Sequence, residues 1–347
     1  MSAEPEVIVS RAGVAGVLTI NRPKALNAIT HTIVRDMAKA LTAWEHDPAV
    51  KLVIIKGAGE RAFSAGGDIR VVHDLGKAGR QDEALAFWRD EYILNRQIKR
   101  YPKPYVALID GIVMGGGVGV SVHGSHRVAG SKFNFAMPEV GIGFFPDVGA
   151  TYVLPRLPFH SGSYLALTGA RITRADALEL GLATHAADTA DFPAIEAELI
   201  GGADIEATLA RYAAAKQHAP ILDHHGLIDR VFGLSSLGEI VHALENASLT
   251  SDFAAQTLAT MKTKSPFSMA LSLEQMRRGA RLGFEGAMTL EMRIVTRVAH
   301  GTDFYEGVRA LIIDKDQKPV WTPARIEDVD AHEVARYFSP LPNDLVF

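Results

Sequence analysis

An α/β fold with a mainly helical C-terminal part is predicted by three observations. In the first half, short apolar runs of strand character alternate with a helical pattern and with glycine turns. Beyond about Asp188 the texture changes to stretches rich in Ala, Leu, Glu and Met with few strand candidates. The apolar content, 48% of 347 residues, can fill the sizeable core that roughly two domains would need.

Val14–Ile20 (VAGVLTI) reads as the first strand. A helix follows, because Ile33, Met37, Leu41 and Trp44 recur at helical spacing and Asp47-Pro48 closes the pattern. Lys51–Gly57, Pro104–Gly111, His126–Gly130 and Phe133–Met137 are further apolar strand candidates, separated by glycine turns. Later, AIEAELI, GEIVHALEN and FAAQTLATM read as helices, while Gly201-Gly202 and the segment His218–Gly226 read as turns between them. The expected division is a core over residues 1–200 and a mainly helical region over 201–347. No internal repeat, low-complexity tract or charge block interrupts it.

Several function classes are excluded or disfavoured. A formal net charge of -4 offers no general attraction to nucleic acid or to an anionic membrane surface. With no cysteine there is no disulfide, thiol nucleophile or thiolate metal ligand. No apolar run approaches the length that crosses a bilayer. The run Gly115–Gly119 fails the dinucleotide fingerprint, since the position three beyond Gly119 is Val122, and no P-loop pattern occurs. Among 13 histidines, His123 and His126 lack an evident third ligand and the adjacent His224 and His225 point apart, so no metal and no cofactor are expected.

The stretch Met114–Leu157 carries the chemistry. Its glycine run GGGVG lets backbone N–H groups approach a ligand, and Glu139 and Asp147 follow at close range. RAFSAGGDIR supplies a second glycine turn with Gly66, Gly67 and Asp68. Two N–H groups aimed at one point are what a developing carbonyl oxyanion requires, and Gly67 and Gly116 are the candidate pair, flanked by Gly115. Each residue also has a structural reading. The glycines would let a helix pack on a strand, Glu139 would be a solvated carboxylate at a strand end, and Asp147 after Pro146 would cap a helix. Glu91, in DEYILN, would lie on the exposed face of a helix.

NRPKALNAI, AFSAGGDI, GGGVG and MPEVGIGFFPDVG, in that order and spacing, resemble the crotonase (enoyl-CoA hydratase/isomerase) superfamily. That resemblance implies a spiral of strand–strand–helix units over an acyl-CoA-binding core. KGAGERAFSAGGDIR, DEYILN, MGGGVGVSVHGSHRVA, FAMPEVGIGFFPDVGATYVLPRL and EGVRALIIDKDQKPVW are similar to the 3-hydroxyisobutyryl-CoA hydrolase branch, over most of the chain from about Val17. By that likeness Glu139 falls on the principal catalytic carboxylate and Asp147 on the hydrolase's second acidic position. Glu91 would line the acyl pocket, Lys24 would meet coenzyme A phosphates, and Ala65, Asp68 and Ile69 would hold the adenine through backbone groups. Coenzyme A enters as part of the substrate, valine breakdown is the implied setting, and a homo-oligomer is a possible assembly.

Three readings stay open on these residues. An enoyl-CoA hydratase would carry a second glutamate two positions after the glycine triplet, where this chain has Gly119. A dienoyl-CoA isomerase also spaces a glutamate and an aspartate as Glu139 and Asp147 are spaced. A non-catalytic RNA-binding or scaffold member is disfavoured by the acidic balance and the retained carboxylates. Mitochondrial relatives would carry a presequence, and the opening MSAEPEVIVS has neither a basic n-region nor an Arg-rich character, so a cytoplasmic location is expected.

Overall fold

The computed structural model describes residues 4–347. It contains two compact units, each assembled from separate stretches of chain. The first takes the chain up to Gly67 with Ile93–Phe135 and Ile172–Pro220, and the second takes Asp68–Tyr92, Ala136–Arg171 and Ile221–Phe347.

The strands in chain order are β1 (Val7–Ala12), β2 (Ala15–Ile20), β3 (Leu52–Gly57), β4 (Ala62–Ser64), β5 (Tyr105–Ile109), β6 (Ile112–Met114), β7 (His126–Ala129), β8 (Asn134–Ala136) and β9 (His185–Ala186). Six form one sheet in the order β1-β2-β3-β5-β7-β9 and three form another in the order β4-β6-β8. β1 and β2 are an antiparallel hairpin turned at Gly13, whose φ of +50° suits glycine; from β2 onward the large sheet is parallel. Parallel strands are covered on both faces, which is why LVIIKG and YVALI read as continuous apolar runs rather than alternations.

On one face Val17, Ile54, Val106, Leu108 and Val128 join Ile195, Leu199 and Leu209 from the helices Phe192–Ile200 and Ile205–Arg211. The opposite face of β2 meets α1 (His31–Glu45), where the predicted stripe of Ile33, Met37, Leu41 and Trp44 is buried. Thr30 caps α1 by accepting the N–H of Ile33 at 3.2 Å.

Two sequence expectations need correction. β1 was not anticipated, because Ile8 and Val9 are 42% and 43% exposed on this edge strand and give no core signature. His218–Gly226, expected as a turn, holds a 3-10 turn at Pro220–His224 and the first residues of the helix His225–Phe232. Pro220 opens that turn because its fixed φ fits the start of a helix and its missing N–H costs nothing there.

The second unit is helical in texture. It includes α2 (Ile69–Lys77) and the start of α3 (Gln81–Lys99), along which the chain passes from this unit into the first. Beyond residue 200 the described residues form helices and turns and no strand; Pro266–Gly279 and Phe284–Val298 are the two that matter below. Among the described residues no helix is long and apolar enough to cross a membrane.

Gly16 marks where β2 and α1 approach most closely, since an added Cβ would come within 2.4 Å of the Trp44 ring. Gly16→Ala is expected to cost about 1–3 kcal/mol through overpacking, read as a lowered denaturation midpoint in a chemical melt. An unchanged midpoint would show that the ring moves aside freely.

Candidate active site

In the first unit the two glycine segments leave neighbouring strands. β4 and β6 pair in parallel, and the turns after Ser64 and Met114 run side by side, so that a Cβ on Gly66 would meet Met114 O at 3.5 Å and Gly115 Cα at 3.7 Å. Gly66 has φ +111° and Gly115 φ +45°, both in the region that favours glycine. Gly66 O accepts the Ile29 N–H at 2.8 Å and Ala65 N–H donates to Leu26 O at 2.9 Å, tying the NRPKALNAI turn to this segment. Gly116 opens α4 (Gly116–Gly119), where the first N–H groups have no acceptor within their own helix. Gly117 allows α4 to lie on β4, because a Cβ there would meet Ser64 O at 2.6 Å.

Gly67 forms an isolated parallel bridge with Ile29, and Ala65, Gly67, Asp68, Ile69 and Gly115 are all half-buried while Gly116 is buried. Lys24 sits exposed in a 3-10 turn at Pro23–Ala25. Of the histidines weighed as metal ligands, His126 instead faces Glu206 at 3.0 Å, and His224 stacks on Phe253 with ring centroids 3.9 Å apart.

The second unit collects the acids. Glu139, 7% exposed, begins a 3-10 turn that Gly143 ends at φ +68°, and its Oε2 has no hydrogen-bond partner. Glu139 is therefore no solvated strand-end carboxylate. Asp147 is 5% exposed and accepts a hydrogen bond from Tyr92 Oη at 2.8 Å. The expected helix cap does not form: α5 (Ala150–Val153) starts three residues later with Gly149 before it, and the Asp147 backbone carbonyl accepts the Ala150 N–H at 2.9 Å. Glu91 is 2% exposed with Oε1 unpartnered, so the exposed helix face expected from its sequence neighbours is overturned. Between the two acids the chain places Phe144 and Phe145, with Trp88 stacked on Phe144 at 5.6 Å.

Three residues of this site escaped the sequence reading: Tyr92, Gln275 and Glu291. Glu291 accepts the N–H groups of Gly149 at 2.8 Å and Thr151 at 3.0 Å. Gln275 Nε2 donates to Pro146 O at 2.6 Å and to Thr151 Oγ1 at 2.7 Å. Both are fully buried. The signal existed: on Phe284–Val298 the buried stripe of Phe284, Ala287, Met288, Ile294, Val295 and Val298 is interrupted by an acid at Glu291, and an acid on a core stripe needs partners.

Burial is the main cause that raises every carboxyl here. Asp147 is pushed up to about 7, with the Tyr92 hydrogen bond holding it down. Glu291 is pushed up to about 8 by burial and by the charge of Asp147, against the pull of its two N–H donors. Glu139 is held well above the carboxylate range by burial and then by Asp147, and Glu91 by burial, Asp147 and Glu291. The set therefore retains protons near neutrality and shares few negative charges.

A family profile described as enoyl-CoA hydratase/isomerase matches residues 15–338. The mitochondrial 3-hydroxyisobutyryl-CoA hydrolase of Xenopus tropicalis is 45% identical in an alignment that covers 97% of this chain and 90% of that protein. The human protein of the same name is 42% identical and covers 99% of this chain and 92% of its own length. Among solved structures, a carnitinyl-CoA dehydratase from Mycobacterium thermoresistibile superposes with a TM-score of 0.94 at 40% identity, covering 99% of both chains. An enoyl-CoA hydratase from Rhodobacter sphaeroides gives 0.93 at 40% identity, covering 99% of this chain and 100% of the other.

The raised carboxyls dictate how stability follows pH. Unfolded, Asp147 and Glu291 ionise near 3.8 and 4.5; folded, near about 7 and about 8. Between those values the folded chain binds more protons than the unfolded one, so their contribution is complete below about pH 4 and is lost as pH rises through about 8. Thermal melts across that window should show the wild type losing stability with rising pH more steeply than Glu291→Gln. Equal slopes in the two proteins would contradict the assignment.

Proposed function

The chain belongs to the enoyl-CoA hydratase/isomerase family, and from that membership we propose that it hydrolyses the thioester of 3-hydroxyisobutyryl-CoA, or of a closely similar 3-hydroxyacyl-CoA, to the free acid and coenzyme A. The observation that carries this reading is the buried Glu139 with an Oε2 unpartnered among the described residues, close enough to a second carboxyl at Asp147 for the two to raise each other's cost of ionisation. Two relatives named 3-hydroxyisobutyryl-CoA hydrolase, matched over nearly the whole chain, support the choice of substrate. Valine breakdown is the setting that substrate implies.

In the proposed reaction the N–H groups of Gly67 and Gly116 take the thioester oxygen as it gains charge. Glu139, once ionised, is a stronger base and nucleophile than an ordinary carboxylate because burial has raised its proton affinity. It attacks the carbonyl carbon to give a mixed anhydride that water then opens, or it takes the proton from an attacking water. Either way a C–O bond forms and the C–S bond breaks. Asp147, titrating near about 7, is poised to hold a proton for the departing thiolate, with Tyr92 fixing its orientation. Glu91 lines the acyl end, while Lys24, Ala65, Asp68 and Ile69 serve coenzyme A.

No cofactor or metal is assigned, and neither nucleic acid nor a membrane is a proposed partner; a homo-oligomer is compatible with the reading. A cytoplasmic location belongs to the same proposal, against the mitochondrial relatives named above, and cell fractionation tests it.

A second reading, hydration of an enoyl-CoA, has in its favour the names of the two structural neighbours, a carnitinyl-CoA dehydratase and an enoyl-CoA hydratase. Gly119 stands against it, since the glutamate that a hydratase carries at this position is missing. Purified protein is therefore mixed with 3-hydroxyisobutyryl-CoA, and thiol release is followed with a chromogenic reagent beside crotonyl-CoA and a dienoyl-CoA read by absorbance. Thiol release is expected, and Glu139→Gln should lower it roughly hundredfold or more while coenzyme A still binds. An absorbance change on an unsaturated thioester, without thiol release, would move the assignment to the hydratase or isomerase branch.

A further inference from the structure

Asp147 lies in a backbone turn that the Ala150 N–H closes on Asp147 O at 2.9 Å and that is strained just beyond the acid. Val148, a β-branched residue, has φ +52° and Gly149 has φ +91°. Such a turn is costly, because a β-branched side chain disfavours the left-handed region. The four hydrogen bonds from Gln275 and Glu291 fall on either side of it. On the N-terminal side Gln275 Nε2 donates to Pro146 O, one residue before Asp147. On the C-terminal side Glu291 accepts from Gly149 and Thr151, while Gln275 also reaches the Thr151 hydroxyl. None of the four touches the Asp147 side chain.

The geometry points to Glu291 and Gln275 as a buried clamp that positions the carboxyl of Asp147 for thioester cleavage. The inference rests on the hydrolase reading and deepens it. Donor and acceptor types are matched: Pro146 O and Thr151 Oγ1 face an amide nitrogen, whereas two N–H groups face a carboxyl group, whose two oxygens each accept one. A glutamine at 291 would bring its NH2 against an N–H donor. The clamp is also rigidly mounted. Gln275 and Gly279 lie one turn apart on Pro266–Gly279, and a Cβ on Gly279 would meet Thr151 O at 2.1 Å, so that helix packs directly on the turn. Both clamp residues are inaccessible to water, which cannot take over their bonds.

A positioning role predicts a pattern that an ordinary core contact does not. Glu291→Gln should lower kcat for thiol release about ten- to hundredfold, the loss that a small misplacement of a catalytic group brings, while KM changes less than about twofold. The effect must pass through Asp147. In an Asp147→Asn background, adding Glu291→Gln should therefore cost less than about a further twofold. Losses that multiply in the double variant, or a folded Glu291→Gln with wild-type kcat, would overturn the clamp. If Glu291→Gln does not fold, Gln275→Leu alone and with Asp147→Asn carries the same comparison. Amide hydrogen exchange at Gly149 and Thr151 separates this inference from the reading beneath it. A wild type that releases no thiol from any 3-hydroxyacyl thioester sinks the hydrolase reading. Faster exchange at those two amides in either variant still upholds the clamp, and unchanged exchange rejects it.

Discussion

Keeping several carboxyl groups out of water within one site is the constraint on which the second unit depends. Water would stabilise each charge; Phe144, Phe145 and Trp88 offer nothing comparable. The protein meets this cost in three ways. Protons stay on at neutral pH, as the raised affinities of Glu91, Glu139, Asp147 and Glu291 require. Neutral donors are supplied to two of the four: Tyr92 to Asp147, and the Gly149 and Thr151 amides to Glu291. Glu139 at Oε2 and Glu91 at Oε1 receive no donor, so these two acids combine a free face with a high proton affinity. Those two properties mark a reactive carboxyl, whereas a fully partnered one is structural.

A different constraint shapes the glycine segments of the first unit. Their N–H groups can be presented to a ligand only if no side chain intervenes, and the same absence lets β4 and β6 carry adjacent turns. At Gly117 close packing and exposure of the backbone are one requirement, since α4 can rest on Ser64 only without a Cβ. The packing reading and the oxyanion reading of GGGVG are thus not rivals. Gly115 and Gly66 need a positive φ, and Gly117 needs the space.

How much of this was legible in the sequence depends on how far each signal extends along the chain. The parallel strands β3 and β5 and helix α1 declared themselves, because burial on both strand faces writes a continuous apolar run and burial of one helix stripe writes a clear period. β1, on the sheet edge, and the three-residue strands β4 and β6 did not, because a few residues carry no period and glycine beside them reads as a turn. In the site, local patterns identified Glu139, Asp147 and the glycines, but misread the environment of the acids. Glu91 looked like a helix surface and Asp147 like a cap because neither the aromatic wall nor Tyr92 Oη is visible in their immediate neighbours. Glu291 lies 144 positions after Asp147 and meets its turn only through folding.

The strained turn around Asp147 bears on why the C-terminal helices belong to the chemistry rather than merely to the packing. Positive φ at Val148 costs of order 1–3 kcal/mol, comparable to the net worth of one or two buried hydrogen bonds. Four such bonds converge on the turn, from Gln275 and Glu291. That surplus exceeds what a passive loop needs, and holding a loop is cheaper with an apolar contact than with a buried acid whose desolvation must be met. A buried glutamate is worth its cost when the carboxyl it positions must neither drift nor be solvated. Asp147 is such a group: with its proton affinity near about 7, small changes in its surroundings decide whether it carries the proton at all. The helices Pro266–Gly279 and Phe284–Val298 thus hold the turn that carries a residue lying far before them in the chain.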